Sequence, residues 1–289
     1  MRLAALPRLA GFLWRHPLVR RDPLGAAARL LRWQAAARRG QVLEPPWVEG
    51  PAGLVRLRLK RGLSSATACW YAGLTDPAEM GFVLQALRAG DRMVDVGANV
   101  GVYAVLAAGA AGAQVLALEP AAETLPDLRA MVALNGVLDR VEIRPVAASA
   151  APGVLRFTTG RGTTNQAAPD GAAEVPVDTL DRLCADTPPL LLKVDVEGAE
   201  PDVLAGAATL LAGEVLKAAI LETAGATDTA IEARLRAAGF APFAYDPCPR
   251  RLTPLSGPAR PNTLYLRDLP FWQARLATAP VIRVFGRAL

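Results

Sequence analysis

Histidine and cysteine are scarce in this sequence, and their scarcity limits the chemistry that the chain can carry out. Its 289 residues include one histidine, His16, and three cysteines, Cys69, Cys184 and Cys248. A histidine-based catalytic triad is therefore excluded from the chain beyond residue 16, which removes most serine and cysteine hydrolases. The cysteines are far apart and form no CxxC pair. Neither a disulfide framework nor a zinc site is indicated, and we expect a reducing compartment.

Long apolar runs are missing as well. No stretch reaches the length of a membrane-spanning helix, and Pro7 and Arg8 interrupt what would be the core of a signal peptide. We therefore expect a soluble, cytoplasmic protein. With 52% hydrophobic and only 20% charged residues, the chain is typical of a folded protein, and its length suits one α/β domain with appendages.

Acidic residues are nearly absent from the first 40 positions, which hold nine arginines and one acid, Asp22. This segment has a net charge of +8 in a chain whose total is +5, which leaves −3 for the remainder. Residues 1–47 predict a basic helical arm with breaks at Pro7, Pro17 and Pro23.

Residues 26–39 form the clearest predicted helix of the arm. One of its faces is expected to carry Leu30, Leu31, Gln34 and Ala35, with Arg32 and Arg39 on another side. Two interpretations stay open. Residues 1–40 could make a peripheral contact with an anionic membrane at its inner surface, a polyanion or a partner protein, or they could simply pack on the body of the protein.

Three further segments follow the arm. Residues 48–74 predict a linker with a short strand, because residues 55–60 alternate strictly between apolar and basic side chains. Residues 75–270 predict the main domain, and residues 271–289 form a basic, proline-interrupted tail.

Within the main domain, strand patterns and helix patterns alternate, which predicts a parallel sheet with crossover helices. The predicted strands are 93–97, 115–119, 141–147, 190–195 and 217–222, with a closing antiparallel pair at 240–245 and 263–267. The predicted helices are 77–87, 101–109, 122–134, 178–184, 201–212 and 228–238. Short strands at 154–159 and 174–177 flank a polar loop, 160–166, whose Thr163–Gln166 stretch could contact acceptor hydroxyls.

The stretch 93–101 combines a strand, a tight turn and a helix start, as found where nucleotide-like ligands bind open α/β sheets. Gly97 and Gly101 permit unusual backbone dihedral angles and a close approach of ligand to backbone. Asn99 stands where a dinucleotide-binding motif would have its second glycine. Glu119 ends the next strand at about the spacing expected for an acid that binds a ribose.

Acidic side chains recur at the carboxyl ends of the predicted strands, where ligands bind such sheets. They are Asp95, Glu119, Asp195 with Glu197, and Glu222, while Ala147 ends the third strand. No Gly-Lys-Ser/Thr phosphate loop occurs. An acidic edge suits S-adenosylmethionine, which carries a sulfonium, an ammonium and a ribose, better than it suits a ligand rich in phosphates. A nicotinamide-dependent oxidoreductase remains the enzymatic alternative.

Several ordered motifs together resemble the FkbM family of S-adenosylmethionine-dependent methyltransferases over roughly residues 75–267. They are Val94–Gly101, Leu118–Pro120, Leu134–Asn135, Val177–Asp181, Leu192–Glu200 and Ile220–Glu222, of which Leu192–Glu200 is the most specific. The resemblance implies an α/β class I methyltransferase (Rossmann-like) fold with a seven-stranded, mostly parallel sheet, here with an N-terminal helical arm. It also implies transfer to a hydroxyl oxygen, often on sugars or glycosylated metabolites. The sequence departs from the family after the third strand, where Ala147 stands in a stretch that often holds an acid.

Each candidate residue can be given an expected role. Cofactor binding is assigned to Asp95, Gly97, Asn99, Gly101, Glu119 and Ala147, and catalysis to Asp195, Glu197 and Glu222. Oxygen methylation needs a base, or a metal that lowers the pKa of the hydroxyl, and a carboxylate serves either scheme. No metal ligand set is indicated, so a divalent metal stays open. Lys193 is expected in an ion pair or at the substrate, and Glu200 at a helix start.

The sequence thus predicts a methyltransferase for a small-molecule or glycan acceptor, with no nucleic-acid partner. The non-enzymatic alternative is a membrane-surface or interaction protein that uses the arginine-rich arm and keeps a vestigial cofactor fold.

Overall fold

A computed structural model describes residues 6–158, 160, 168, 171–222, 228–256 and 262–289. The Thr163–Gln166 stretch lies outside the described residues.

The arm begins as three helices, α1 (Leu6–Arg15), α2 (Pro17–Arg21) and α3 (Pro23–Arg38), so the breaks predicted at Pro17 and Pro23 occur and Pro7 lies inside α1. Asp22 caps α3, since its carboxylate accepts a hydrogen bond from the backbone N–H of Gly25 at 3.2 Å. Pro23 then occupies the first helical turn, where its missing N–H costs nothing.

The arm packs against the body through a face of α3 that differs from the predicted one. Trp33 and Ala36 are buried in the main core, whereas Leu31 is exposed. The indole N–H of Trp70 donates to the carbonyl of Arg29 at 2.8 Å, which ties α3 to helix α4 (Ser64–Ala72). The structure thus confirms packing on the body and corrects the predicted grouping of Leu30 with Leu31.

Residues from both ends of the chain share a small sheet. Strands β1 (Pro46–Gly50) and β2 (Gly53–Arg56) form a hairpin. The strand predicted over 55–60 therefore begins and ends earlier in the chain. The tail adds strands β14 (Arg283–Val284) and β15 (Arg287–Ala288), in the order β15-β14-β1-β2. Sequence reasoning left the tail unassigned because its pairing partner lies more than 230 residues away.

An eight-stranded sheet dominates the rest of the described structure. Its strands are β3 (Arg92–Val96), β4 (Gln114–Leu118), β5 (Val141–Arg144), β9 (Leu191–Val194), β10 (Ala218–Glu222), β11 (Ala241–Asp246), β12 (Arg251–Pro254) and β13 (Asn262–Leu266). They lie in the order β12-β11-β13-β10-β9-β3-β4-β5. The five adjacent strands from β10 to β5 are parallel, and β13 lies antiparallel to β10. The predicted count of seven misses β12, an edge strand that forms a hairpin with β11.

A third sheet, in the order β6-β8-β7, lies beyond strand β5 in the chain. It contains β6 (Ala147–Ala148), β7 (Gly153–Phe157) and β8 (Ala173–Asp178). The strand predicted over 141–147 is therefore two strands, because residues 145 and 146 leave the main sheet and Ala147 pairs with Val177.

Helices cover both faces of the main sheet, as crossover connections require. These helices are α5 (Pro77–Ala86), α6 (Val102–Val105) continued by a π-helix (Leu106–Ala111), α7 (Leu125–Leu134), α8 (Leu180–Leu183), α9 (Glu200–Ala205), α10 (Ala208–Ala212), α11 (Asp228–Ala237) and α12 (Leu269–Ala277). One hydrophobic core joins α5, α6, the arm and the tail, and a second lies among α8, α9, α10 and α11. The helix predicted over 201–212 is two short helices. None of the helices in the described parts of the chain is long and apolar enough to cross a bilayer.

Candidate active site

A cavity of about 400 Å³ opens beyond the carboxyl ends of β3, β4, β9 and β10. Its lining includes six of the nine predicted site residues: Gly97, Asn99, Glu119, Asp195, Glu197 and Glu222. The remaining three, Asp95, Gly101 and Ala147, lie elsewhere. The cavity therefore occupies the position expected for a ligand on an open α/β sheet.

The turn after β3 forms the floor of this cavity. Gly97, Asn99 and Gly101 all have positive φ angles, of 77°, 51° and 83°. The N–H groups of Gly97 and Ala98 both donate to the carbonyl of Leu118 at 3.0 Å, which ties the turn to the end of β4. Asparagine is among the residues that tolerate the left-handed region, so Asn99 keeps the turn without a glycine.

Gly97 cannot be replaced without moving a neighbouring strand. A Cβ at this position would collide with the backbone carbonyl of Asp195, and the positive φ adds strain. We expect Gly97→Ala to lower the melting temperature by several degrees more than Gly136→Ala, whose site also has positive φ but open space around it. Thermal unfolding of the two variants measures the difference, and equal losses would contradict the close approach.

Glu119 is held rigidly at the end of β4. Its Oε2 accepts a hydrogen bond from the N–H of Asn99 at 2.7 Å, and its Oε1 accepts one from the N–H of Ala121 at 2.8 Å. Burial raises the pKa of this carboxyl group, against the effect of the two backbone donors. Since each carboxylate oxygen can accept about two hydrogen bonds, one acceptor position on each oxygen is left for a ligand.

Lys193 lies in the lining of the cavity, between two carboxylates. Its ammonium is 3.3 Å from Oδ1 of Asp95 and 3.2 Å from Oδ2 of Asp195, and it lies 4.8 Å from the centre of the Tyr103 ring. Burial lowers the pKa of Lys193, but the two carboxylates outweigh it and the net shift is upward. The ion pair expected for Lys193 is confirmed. Asp95 itself is fully buried and does not line the cavity, so the structure links it to the cavity only through Lys193.

Asp195 and Glu222 bring their carboxyl groups into hydrogen-bond contact at the ends of β9 and β10. Burial disfavours ionisation of Asp195, but the Lys193 ammonium and the hydrogen bond with Glu222 hold its pKa below the ordinary value. The hydrogen bond to Asp195, burial and the Asp195 charge raise the pKa of Glu222 to about 8. The pair therefore carries one proton near neutral pH, mainly on Glu222.

Glu197 and Glu200 follow β9 but differ in position. Glu197 is exposed at the mouth of the cavity, with a positive φ of 54°. Burial and the charge of Asp195 raise its pKa. Glu200 is buried, and its Oε1 accepts hydrogen bonds from the N–H groups of Val196 and Gly198, both at 3.2 Å. Glu200 therefore holds the turn at the start of α9, in agreement with its predicted structural role.

Gly101 and Ala147 are displaced from the main cavity. Gly101 directly precedes α6 and lies against Leu128, so it shapes the turn without lining the cavity. Ala147 lines a small apolar cavity that shares Gly97 and Val196 with the main one and also includes Phe157. Its position beside the main cavity is compatible with the predicted contact, although Ala147 offers no polar side-chain group.

Sequence reasoning missed one wall of the cavity, which comes from residues before the sheet. Ser64 and Ser65 of α4 line it, together with Asp76, which directly precedes α5. Asp76 accepts hydrogen bonds from Tyr103 Oη at 3.2 Å and from Asn262 Nδ2 at 3.3 Å. Burial raises the pKa of Asp76. The only local signal was an Asp-Pro pair, which indicates a helix start and says nothing about a cavity.

Within the described ranges, no three histidine, cysteine or acidic side chains are grouped so that they could hold a metal ion. Lys193 and the proton shared by Asp195 and Glu222 offset part of the negative charge of these carboxylates, and the cavity stays acidic.

The fold and the cavity together define an α/β protein with an open cavity beyond the carboxyl ends of its parallel strands, where the Glu119 carboxylate is fixed at the end of β4. The Methyltransferase FkbM domain model matches residues 95–241, about half of the chain. The protein belongs to this family. The match begins at the strand that contains Asp95 and spans Glu119, Asp195 and Glu222.

Solved structures similar to this chain include other methyltransferases. The FkbM methyltransferase of Methylobacillus flagellatus is 16% identical with a TM-score of 0.44, and the match covers 84% of this chain and 60% of that one. An S-adenosylmethionine-dependent O-methyltransferase of Thermotoga maritima is 16% identical with a TM-score of 0.41, covering 79% and 77%. A precorrin-6y C5,15-methyltransferase of Geobacter metallireducens is 13% identical with a TM-score of 0.41, covering 66% and 86%. No curated protein matches the chain.

Proposed function

We propose that the chain transfers a methyl group from S-adenosylmethionine to a hydroxyl oxygen of a sugar, on a glycan or on a glycosylated small molecule. The observation that carries this proposal is the Glu119 carboxylate, fixed by two backbone N–H groups at the edge of a cavity of about 400 Å³. The match to the FkbM methyltransferase family supports the reaction type. The choice of a sugar rests on the family resemblance alone.

The residues of the cavity fit S-adenosylmethionine. Glu119 would accept the ribose hydroxyls, and the backbone of the turn at Gly97 would face the methionine part. The acidic wall of Asp76 and Asp195 suits a ligand whose sulfonium and ammonium are positive. The apolar cavity at Ala147 would take the edge of the adenine. When bound, the cofactor supplies an electrophilic methyl group.

The chain's own contribution to the reaction is to remove the proton of the acceptor hydroxyl. Glu222 and Asp195 share one proton in the cavity wall, and Lys193 holds Asp195 in its ionised form. A carboxylate with a raised pKa is a stronger base once it has lost its proton. Among the three predicted catalytic acids, Glu222 is therefore the best proton acceptor, and Glu197 lies at the mouth where the acceptor enters.

Ligand binding separates this proposal from its two alternatives. Isothermal titration of the whole chain with S-adenosylhomocysteine and with NAD, in separate experiments, is expected to show binding of the first only. Binding of NAD instead would favour a nicotinamide-dependent oxidoreductase. Binding of neither would favour an interaction protein with a vestigial cofactor fold.

The acceptor class is tested by transfer itself. Incubation of the chain with labelled S-adenosylmethionine and fractionated glycans is expected to label a carbohydrate fraction in a linkage that resists base, as a methyl ether does. Label in a protein or a nucleic-acid fraction would contradict the sugar acceptor without contradicting methyl transfer.

A further inference from the structure

The outward face of α3 is apolar, although this helix is already anchored to the body by its opposite face. Leu24 is 84% exposed and Leu31 is 70% exposed, and Ala28 and Ala35 lie in the same row. These positions are spaced by four, three and four residues, so they form one stripe along the helix. The buried face is made by Ala26, Trp33 and Ala36. The stripe is therefore not needed to fold the arm.

Arginines border this stripe. Arg32 and Arg38 are exposed on α3, Arg39 ends the helix, and Arg20 and Arg21 are exposed just before it begins. Residues 23–40 contain no acidic residue, so no carboxylate of the helix itself balances this charge. Asp22, the one acid of the arm, is already engaged by Arg29 and Arg287 at 3.0 Å each.

We propose that this face of α3, with Leu24 and Leu31 at its centre and arginines at its borders, docks on an anionic lipid bilayer. An anionic bilayer complements this face, because its apolar layer can bury the leucines and its negative headgroups can pair with the arginines. A nucleic acid would satisfy the arginines but would leave the leucines in water. A protein partner would need an apolar groove lined by several acids.

Helix α1 also exposes a large apolar side chain beside an arginine. Trp14 is 83% exposed and is followed by the exposed Arg15. Tryptophan is enriched at the level of lipid headgroups, because its ring is apolar and its N–H can donate a hydrogen bond.

Docking of α3 would hold the cavity near the bilayer. Helix α4 packs on α3 through Trp70, whose N–H binds the carbonyl of Arg29, and the Ser64 and Ser65 end of α4 lines the cavity. One helix thus separates the proposed lipid-binding face from the proposed site of methyl transfer. The docking proposal itself does not depend on that function, because its test measures binding alone.

Vesicle sedimentation of the whole chain tests the proposal. We expect binding to vesicles of phosphatidylcholine with phosphatidylglycerol, weak binding to phosphatidylcholine alone, and loss of binding as salt rises. The double variant Leu24→Gln, Leu31→Gln is expected to bind at least about tenfold more weakly, since two leucines no longer enter the apolar layer. Glutamine keeps a good helix propensity, so α3 should remain folded.

Two matched controls belong to this experiment. Leu138→Gln changes a leucine that is 65% exposed after α7, and its binding is expected to equal that of the wild type. Arg38→Gln is expected to weaken binding about fivefold, at about 1 kcal/mol per charge near a lipid surface, whereas Arg129→Gln on the exposed side of α7 should not.

Three outcomes would overturn the proposal. They are no binding to anionic vesicles at low salt, equal binding to neutral and anionic vesicles, and unchanged binding of the Leu24→Gln, Leu31→Gln variant. Preferential binding of a soluble polyanion that the leucine variant retains would assign the arginines to that partner instead.

Discussion

Glu119→Gln is expected to weaken the binding of S-adenosylhomocysteine by about 100-fold. The variant removes the charge from two ribose hydrogen bonds, and each bond to a charged group contributes about 1.5–3 kcal/mol, so a combined loss near 3 kcal/mol corresponds to roughly this factor. The side chain keeps its size, which limits the effect of the substitution on packing. Isothermal titration measures the change directly.

The substitution could also disturb the turn at Gly97–Gly101, since Glu119 accepts hydrogen bonds from the N–H groups of Asn99 and Ala121. Thermal unfolding of the ligand-free variant reports that structural contribution. Glu142→Gln, on the exposed part of the neighbouring strand β5, is the matched control and should bind the ligand normally. Unchanged affinity in Glu119→Gln would remove Glu119 from the ribose site.

The rate of methyl transfer is expected to rise as the pH increases through about 8, the pKa to which the hydrogen bond with Asp195 and burial raise Glu222. Below this pH Glu222 holds its proton and cannot accept another, and above it the carboxylate is free to act as a base. Glu222→Gln is expected to lower kcat by about 10²- to 10⁴-fold and to abolish this pH dependence. Affinity for S-adenosylhomocysteine should change little, which separates catalysis from binding.

Asp195→Asn provides the matched test of the same pair. Without the Asp195 charge the pKa of Glu222 should fall, so the rise in kcat should move to lower pH. The measurement is the pH profile of kcat on the fraction that the wild type methylates. A profile of Asp195→Asn that coincides with that of the wild type would contradict the coupling. Full turnover of Glu222→Gln would show that another group is the base.

Glu222 and Asp195 change the stability of the fold in opposite directions as the pH changes. Glu222 binds its proton more tightly in the folded chain than in the unfolded one, so its contribution to stability falls as the pH rises from 4.5 toward 8. Asp195 acts in the opposite direction, because its pKa is lower in the folded chain than in the unfolded one. Its contribution to stability is present at a pH above the ordinary carboxyl pKa and is lost as the pH falls through the lowered pKa.

Local sequence determined the turn and the positions of the strand ends. Gly97, Asn99 and Gly101 adopt the positive φ angles that their residue types tolerate, and Glu119 follows β4 as the spacing predicted. Because the carboxyl ends of parallel strands lie at the same edge of a sheet, the sequence also predicted that Asp195 and Glu222 would be close together. These predictions depend on short-range backbone chemistry and on the alternation of strands and helices, both of which a sequence displays.

Only the tertiary structure decided which of these acids act together and what encloses them. The shared proton of Asp195 and Glu222 depends on the pairing of β9 with β10, whose residues lie about 27 positions apart in the chain. The wall at Asp76 and the pairing of the tail with β1 join segments still further apart. Leu24 and Leu31 of α3 are exposed because the helix packs on the body through the face that contains Trp33. Such contacts depend on packing between segments that are far apart in the chain, and the local pattern of apolar and polar residues does not predict which segments meet.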